Sequence, residues 1–257
     1  MFRSVFWVAS LLAVAVLGMG AAGASDQRQY LMNLGVGGLV KPKYPGADTY
    51  MLVPYPIIDV GRFYVPGVGQ TERKARGLFF SPSFNLNGKR EASDDNSLKG
   101  TKEIDWAFEA GVGAGFRYDF LRGYATIRQG FNGYSGQTGE IGLDIIVPVA
   151  TRFEVAFGPR TSWASSGYME TYFGVTDKEA ARSPVLTAYK PSAGFKTAGL
   201  TAQINYRIDD NTRLQLRGSW DRMIGDAADS PIVKHGSRDQ WTVGVGISRK
   251  LSFDLFR

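Results

Sequence analysis

The chain has 257 residues, 44% of them hydrophobic, 13% aromatic and 21% charged, with 32 glycines, one histidine and no cysteine. Those counts exclude disulfide frameworks, thiolate metal sites, thiol nucleophiles and multi-histidine metal centres. The 30 basic residues exceed the 24 acidic ones by six, which suits an anionic partner without choosing among nucleic acid, lipid and acidic polymer.

The first 24 residues read as a signal peptide: Arg3 opens it, an apolar run from Val5 to Leu17 follows, and Ala22-Gly23-Ala24 closes it. Cleavage after Ala24 sends residues 25–257 out of the cytoplasm as one domain, which removes nucleic acid as a partner and leaves outer-membrane lipid as the anionic surface. A cysteine-free chain is compatible with that compartment.

Beyond the leader, strict alternation over about ten residues recurs, the length and period of a strand that crosses a bilayer with one face to lipid and one to a lumen. Ten strands are expected, near 30–41, 50–59, 77–87, 104–118, 122–133, 138–149, 152–163, 194–208, 212–223 and 239–253. The clearest sets Trp106, Phe108, Val112 and Phe116 against Glu109, Gly111, Gly113, Gly115 and Arg117. The segments 42–49, 88–103, 134–137, 164–193 and 224–238 are mostly long, whereas 119–121, 150–151 and 209–211 are short, the loop asymmetry of an outer-membrane barrel. The fold expected is therefore all-β, a transmembrane antiparallel up-and-down barrel of 10–12 strands, twelve if residues 60–76 form a hairpin of their own.

The lumen parity carries Glu109, Arg117, Arg128, Glu140, Asp144, Arg152, Glu154, Arg160, Arg207, Arg213, Arg217 and Asp221. Two readings compete: pairing into a plugging network, because an unpaired buried charge is costly, or lining a water-filled channel. Their mixed signs favour pairing. Gly111-Val112-Gly113-Ala114-Gly115 lies inside a strand rather than at a strand-to-helix turn, so it makes room for bulky neighbours instead of cradling phosphate. Asp94-Asp95-Asn96 reads as a polar loop tip, with no metal site implied. His235 is the one candidate base for a serine hydrolase, with Ser230, Ser237 and Asp239 close in sequence, but Lys234-His235-Gly236-Ser237-Arg238 reads as a solvated loop without a nucleophile elbow. No catalytic residue and no cofactor are expected. Tyr30, Trp106, Tyr118, Phe153, Trp163, Tyr206, Trp220, Trp241 and Phe253 stand near strand ends as interfacial girdles, and Tyr168, Tyr172 and Phe173 read as ordinary loop packing ahead of the alternative, stacking on carbohydrate or murein.

Three blocks then carry a resemblance. Tyr44-Pro45-Gly46-Ala47-Asp48-Thr49-Tyr50 runs into Val53-Pro54-Tyr55-Pro56; Tyr172-Phe173-Gly174-Val175 precedes Ser183-Pro184 and Tyr189; and Gly225, Asp226, Ala227, Ala228, Asp229, Ser230, Pro231, Ile232 and Val233 precede the last strand. In these the chain resembles the MipA/OmpV outer-membrane proteins. The resemblance implies a non-enzymatic barrel acting as a scaffold, with a murein hydrolase and a murein synthase as partners, or a porin-like or adhesive surface protein; a small-solute channel is the alternative reading. The block 225–233 is expected to be an ordered loop or strand end, Asp226 and Asp229 capping turns and Pro231 stopping continuation. One departure is that Phe256 precedes Arg257 where such barrels typically end on an aromatic residue.

Overall fold

The computed structural model describes residues 30–65, 69–72 and 76–254, with side chains from 30–60 and 76–254. The leader and Arg257 lie outside the described residues. Eleven antiparallel strands form one sheet: β1 Tyr30–Pro42, β2 Tyr50–Val65, β3 Gly69–Glu72, β4 Arg76–Asn87, β5 Ala107–Tyr118, β6 Leu121–Asn132, β7 Gly136–Ala150, β8 Phe153–Ala164, β9 Gly194–Arg207, β10 Thr212–Met223 and β11 Asp239–Phe253. Their spatial order is β3-β2-β1-β11-β10-β9-β8-β7-β6-β5-β4, so every sheet pair joins chain neighbours except β1 with β11, while the consecutive strands β3 and β4 stand at opposite ends of the order. Ten strands run 12–16 residues, enough to cross a bilayer with tilt. Residues 60–76 add one strand, not two, because β2 itself runs on to Val65 and pairs there with β3.

Alternation decides which face is which. On β5, Val112 is 65% exposed and Glu109 only 1%, so the apolar parity faces outward and the polar parity inward, the inverse of a water-soluble barrel. The outer surface is correspondingly apolar, with Leu52, Leu78, Phe80, Phe116, Ile141, Leu200 and Val243 all exposed. Aromatic pairs mark both ends: Tyr30 stacks on Phe253 at 5.3 Å and Phe153 meets Tyr206 at 4.9 Å near the short turns, while Trp220 meets Trp241 at 6.3 Å near the long loops. Inward glycines make room as expected; a Cβ on Gly115 would strike the Phe79 ring.

The sheet curls into an incompletely closed barrel. Beside the short terminal strand β3, the long outermost strands β2 and β4 approach each other, yet no backbone ladder joins them among the described residues. At the long-loop end this seam is crossed by the Lys41 ammonium, which donates to Asn85 Oδ1 at 3.0 Å and to Leu86 O at 3.1 Å, with Met51 against Gly88. At the other end the β2–β3 hairpin leads into β4.

The long loops are not irregular. They hold a 3-10 turn at Asn96–Leu98 and four short helices: α1 Ser166–Phe173, α2 Asp177–Ala180, α3 Gly225–Asp229 and α4 Pro231–His235. Pro231, expected to stop continuation, instead opens α4 with Ser230 as its cap, the first helical position being where a missing N–H costs nothing. The helices pack into a cap over one end of the barrel, where Tyr134, Tyr168, Met169, Tyr172, Phe173 and Val233 form its main buried cluster.

Candidate functional site

Two structures face each other inside the barrel: a charged belt on the wall and the underside of the cap. The belt is built on β5–β8. Glu109 accepts from Arg128 Nε (3.0 Å), Thr138 Oγ1 (3.0 Å) and Asn87 Nδ2 (2.8 Å). Asp144 accepts from Arg122 Nε at 2.7 Å and from Arg160 Nη2 at 2.5 Å, one carboxylate holding two guanidinium groups. Tyr124 donates to Glu140 Oε1 at 2.7 Å, and the Arg160 guanidinium lies 4.9 Å from the Tyr124 ring centre. Glu109, Asp144 and Arg160 are buried, Arg122 and Glu140 half-buried, and all are paired or hydrogen-bonded, the condition under which burial of charge is tolerated.

The facing wall differs. Lys41 on β1, Lys196 on β9 and Arg217 on β10 line the same cavity, of about 610 Å³, and none has a carboxylate within salt-bridge distance among the described residues. Lys196 reaches the interior through a bulge: Ser162 pairs with Thr197 and Trp163 with Phe195, so Lys196 has no partner residue on β8, and the extra residue re-aims its side chain. Its ammonium sits 5.2 Å from the Tyr168 ring centre.

Of the expected lumen residues, the structure places Glu109, Arg128, Glu140, Asp144, Arg160, Arg217 and Asp221 around this belt and cavity. Glu154 accepts from Asn205 nearer the short turns. Arg117, Arg152 and Arg207 bond backbone carbonyls of Asp119, Ile208 and Thr151 at that rim, and Arg213 is exposed there. Sequence reading missed Arg122 and Tyr124, which share the parity of Arg128 and were readable from it. It also missed Lys41, the last inward residue of β1, and Lys196, whose bulge leaves no mark in the alternation.

The cap gathers all three sequence blocks. From the first, Tyr44 and Ala47 are buried, and Gly46 takes φ +91° with its N–H donating to Gln240 Oε1 at 3.0 Å. A Cβ at Gly46 would also lie 2.7 Å from Val233 of the third block. From the second, the Phe173 carbonyl accepts from Ser230 Oγ at 2.7 Å, and the Tyr172 carbonyl from buried Arg90 at 2.8 Å. Tyr189 donates to Asp226 O at 2.9 Å, and Asp226 Oδ2 accepts from Ser192 N at 2.7 Å. Asp229 stays exposed, 3.8 Å from Arg238. Burial holds the Tyr44 phenol up at about 12. Burial pushes Glu179 up, but hydrogen bonds from the Thr176 hydroxyl and N–H and from Lys102 N–H outweigh it and lower its pKa.

Ser230 is the fully buried cap of α4, and Ser237 donates to Asp239 O; neither hydroxyl is placed as a nucleophile for His235. Asp95 caps the 3-10 turn and Asp94 pairs with Lys43, so these carboxylates serve the loop fold.

An up-and-down antiparallel sheet with apolar side chains outward, charges inward and long structured loops at one end defines a protein of the outer-membrane β-barrel class. A family model described as MltA-interacting protein MipA matches residues 34–251. The chain belongs to this family, and it is an outer-membrane protein. It is 30% identical over 168 residues to outer membrane protein OmpV of Vibrio cholerae, covering 63% of each chain. It is 29% identical over 164 residues to outer membrane protein Omp26La of Vibrio anguillarum, covering 60% of this chain and 58% of the relative, so it spans under two thirds of either Vibrio protein. The MltA-interacting protein of Escherichia coli is 26% identical over 261 residues, 93% of this chain and 98% of the relative. Among solved structures, Neisserial surface protein A matches with a TM-score of 0.30 and 9% identity, covering 90% of this chain and 99% of that one.

Proposed function

We propose that this protein is a non-enzymatic interaction protein of the outer membrane, holding murein-remodelling enzymes at the envelope, with a barrel that is capped rather than conducting. The observation that carries the reading is the use of the three sequence blocks: all converge on a packed lid over the lumen, with Ser230 bonded to Phe173 and Gly46 to Gln240, and none forms an open channel mouth. The relative named MltA-interacting protein supports a murein hydrolase as partner, with a murein synthase as the second. By the usual loop asymmetry the short-turn end faces the periplasm. On that side the β2–β3 hairpin continues past the pairing of Leu31 with Arg62, Phe63, Tyr64 and Val65 pairing with Thr71, Gln70 and Gly69. It is the surface a periplasmic enzyme would meet. Residues 1–24 would be removed on export.

The test is recovery of a murein transglycosylase with the tagged full chain from solubilised envelope. Recovery that is lost when residues 63–72 are replaced by a tight turn supports the reading; recovery of no murein enzyme overturns it. The second reading, a small-solute channel, is favoured by the polar cavity and by Lys41, Lys196 and Arg217, which have no carboxylate within salt-bridge distance among the described residues. Discrete ion-selective steps from the folded protein in planar bilayers would replace the capped reading with this one.

A further inference from the structure

The interior cavity is not confined to the interior. Its lining joins inward residues such as Tyr55, Ser81 and Arg217 to outward-parity residues of the two seam strands, Pro54, Pro56 and Ile58 on β2 and Pro82, Phe84 and Leu86 on β4. A cavity with walls on both faces of the sheet passes through the sheet, and it does so where β2 and β4 lack a ladder among the described residues.

The sequence enforces that gap. Proline sits within a ladder only where its missing N–H faces away from the partner strand. Pro54 and Pro56 pair in register with Gly38 and Val36 of β1, and Pro82 with Val112 of β5, so the missing donors point into the seam from both sides. Pro159 shows the opposite case: on β8 the pairing with β7 lapses around it, between Arg160 and Phe157. The seam is closed above by the Lys41 bridge to Asn85 and Leu86 and below by the β2–β3 hairpin, leaving a slot between. Behind the slot stand Lys41, Lys196 and Arg217, none with a carboxylate within salt-bridge distance among the described residues, and they outnumber Asp221, the carboxylate on that wall of the cavity.

We infer that the seam is a lateral port through which a single-chain anionic amphiphile from the membrane enters the barrel, its carboxylate or phosphate held by Lys41, Lys196 and Arg217 and its hydrocarbon chain lying in the slot between Pro54, Pro56 and Pro82. The slot opens to the hydrocarbon phase, the charge behind it is complementary to an acid, and about 610 Å³ falls in the range of small-ligand pockets. The cap above the cavity leaves the membrane as the route for such a ligand. This does not depend on which murein enzyme the protein holds.

The chain has no cysteine, so Ser81→Cys carries a single bimane fluorophore on the inner wall beside the slot. The labelled protein is folded into neutral phosphatidylcholine vesicles and quenched by stearate bearing a nitroxide near its carboxylate, or by a trimethylammonium amphiphile of equal chain length bearing the same label. Quenching by the stearate about tenfold stronger than by the cation, the factor corresponding to about 1.4 kcal/mol, is expected. Absence of quenching by either, or equal quenching by both, overturns the proposal. Lys41→Gln with Lys196→Gln and Arg217→Gln is expected to remove the preference for the acid. Pro54→Val with Pro56→Val and Pro82→Val restores the donors, lets β2 and β4 zip, and is expected to abolish quenching by both; unchanged quenching in either multiple variant also overturns the port. If either fails the heat-modifiable mobility test for folding, the comparison of the two amphiphiles decides alone.

Discussion

Asp144 holds Arg122 and Arg160 together on three adjacent strands, and Glu109 does the same for Arg128, Thr138 and Asn87. Each carboxylate is almost fully buried, so removing its charge leaves guanidinium groups unpaired in a poorly solvated wall. Asp144→Asn is expected to cost about 3–5 kcal/mol, read as a lower urea midpoint for the loss of folded-barrel gel mobility. Titration works on the cap in two windows. The pKa of Glu179 is lowered in the folded state, so its contribution is complete above the ordinary value of about 4.3 and is lost as pH falls through the folded one. That of Tyr44 is raised to about 12, so its contribution is complete below about 10 and is lost as pH climbs through about 12. Limited proteolysis across pH should show the long loops becoming cleavable at both extremes while the strands stay protected; Glu179→Gln should flatten the acid limb.

Elements of this fold differ in how openly they are written. Strands with one face to lipid and one to a lumen alternate over their whole length, and all ten expected were found, most close to their expected bounds, with β2 running on to Val65 rather than 59 and β5 starting at Ala107 rather than 104. The helices were not foreseen because their order is tertiary. The eight residues of α1 include Gly167 and no strong run of helix formers, and α3 and α4 have five residues each, lengths that do not hold a helix in isolation. Local start signals stood at Ser230-Pro231, which opens α4, and at the capping box of Thr176 and Glu179, which opens α2. The lumen parity named charges without their partners: nothing in alternation says that Asp144 serves two arginines or that Arg217 pairs with none of the described carboxylates. Ser230 is where α4 is tied to α1. Ser230→Ala removes the cap of α4 and leaves the buried Phe173 carbonyl without its donor, an expected loss of about 1–3 kcal/mol, measured as a lower melting temperature for the cap with strand protection unchanged in hydrogen exchange.

Across the whole molecule, cap and belt restrict the lumen from two directions: Tyr44, Pro45 and Tyr168 border the cavity at the long-loop end, and the paired belt occupies the β5–β8 wall. The intact protein is expected to be silent in planar bilayers, and replacement of residues 225–237 by a short glycine-serine link is expected to produce flickering conductance, because it removes α3, α4 and the Val233 and Ser230 contacts while leaving every strand in place. Silence in that variant would place the block in the belt instead.

The hydrogen bond from Gly46 to Gln240 joins residues 194 positions apart in the chain, and it forms only after β1 has found β11. Loop closure of that span is slow compared with pairing of neighbouring hairpins. The lid is therefore a timekeeper of biogenesis: a chain that has threaded ten strands but not yet joined first to last cannot close it, so resistance of the long loops to protease should be the last property a newly inserted molecule acquires.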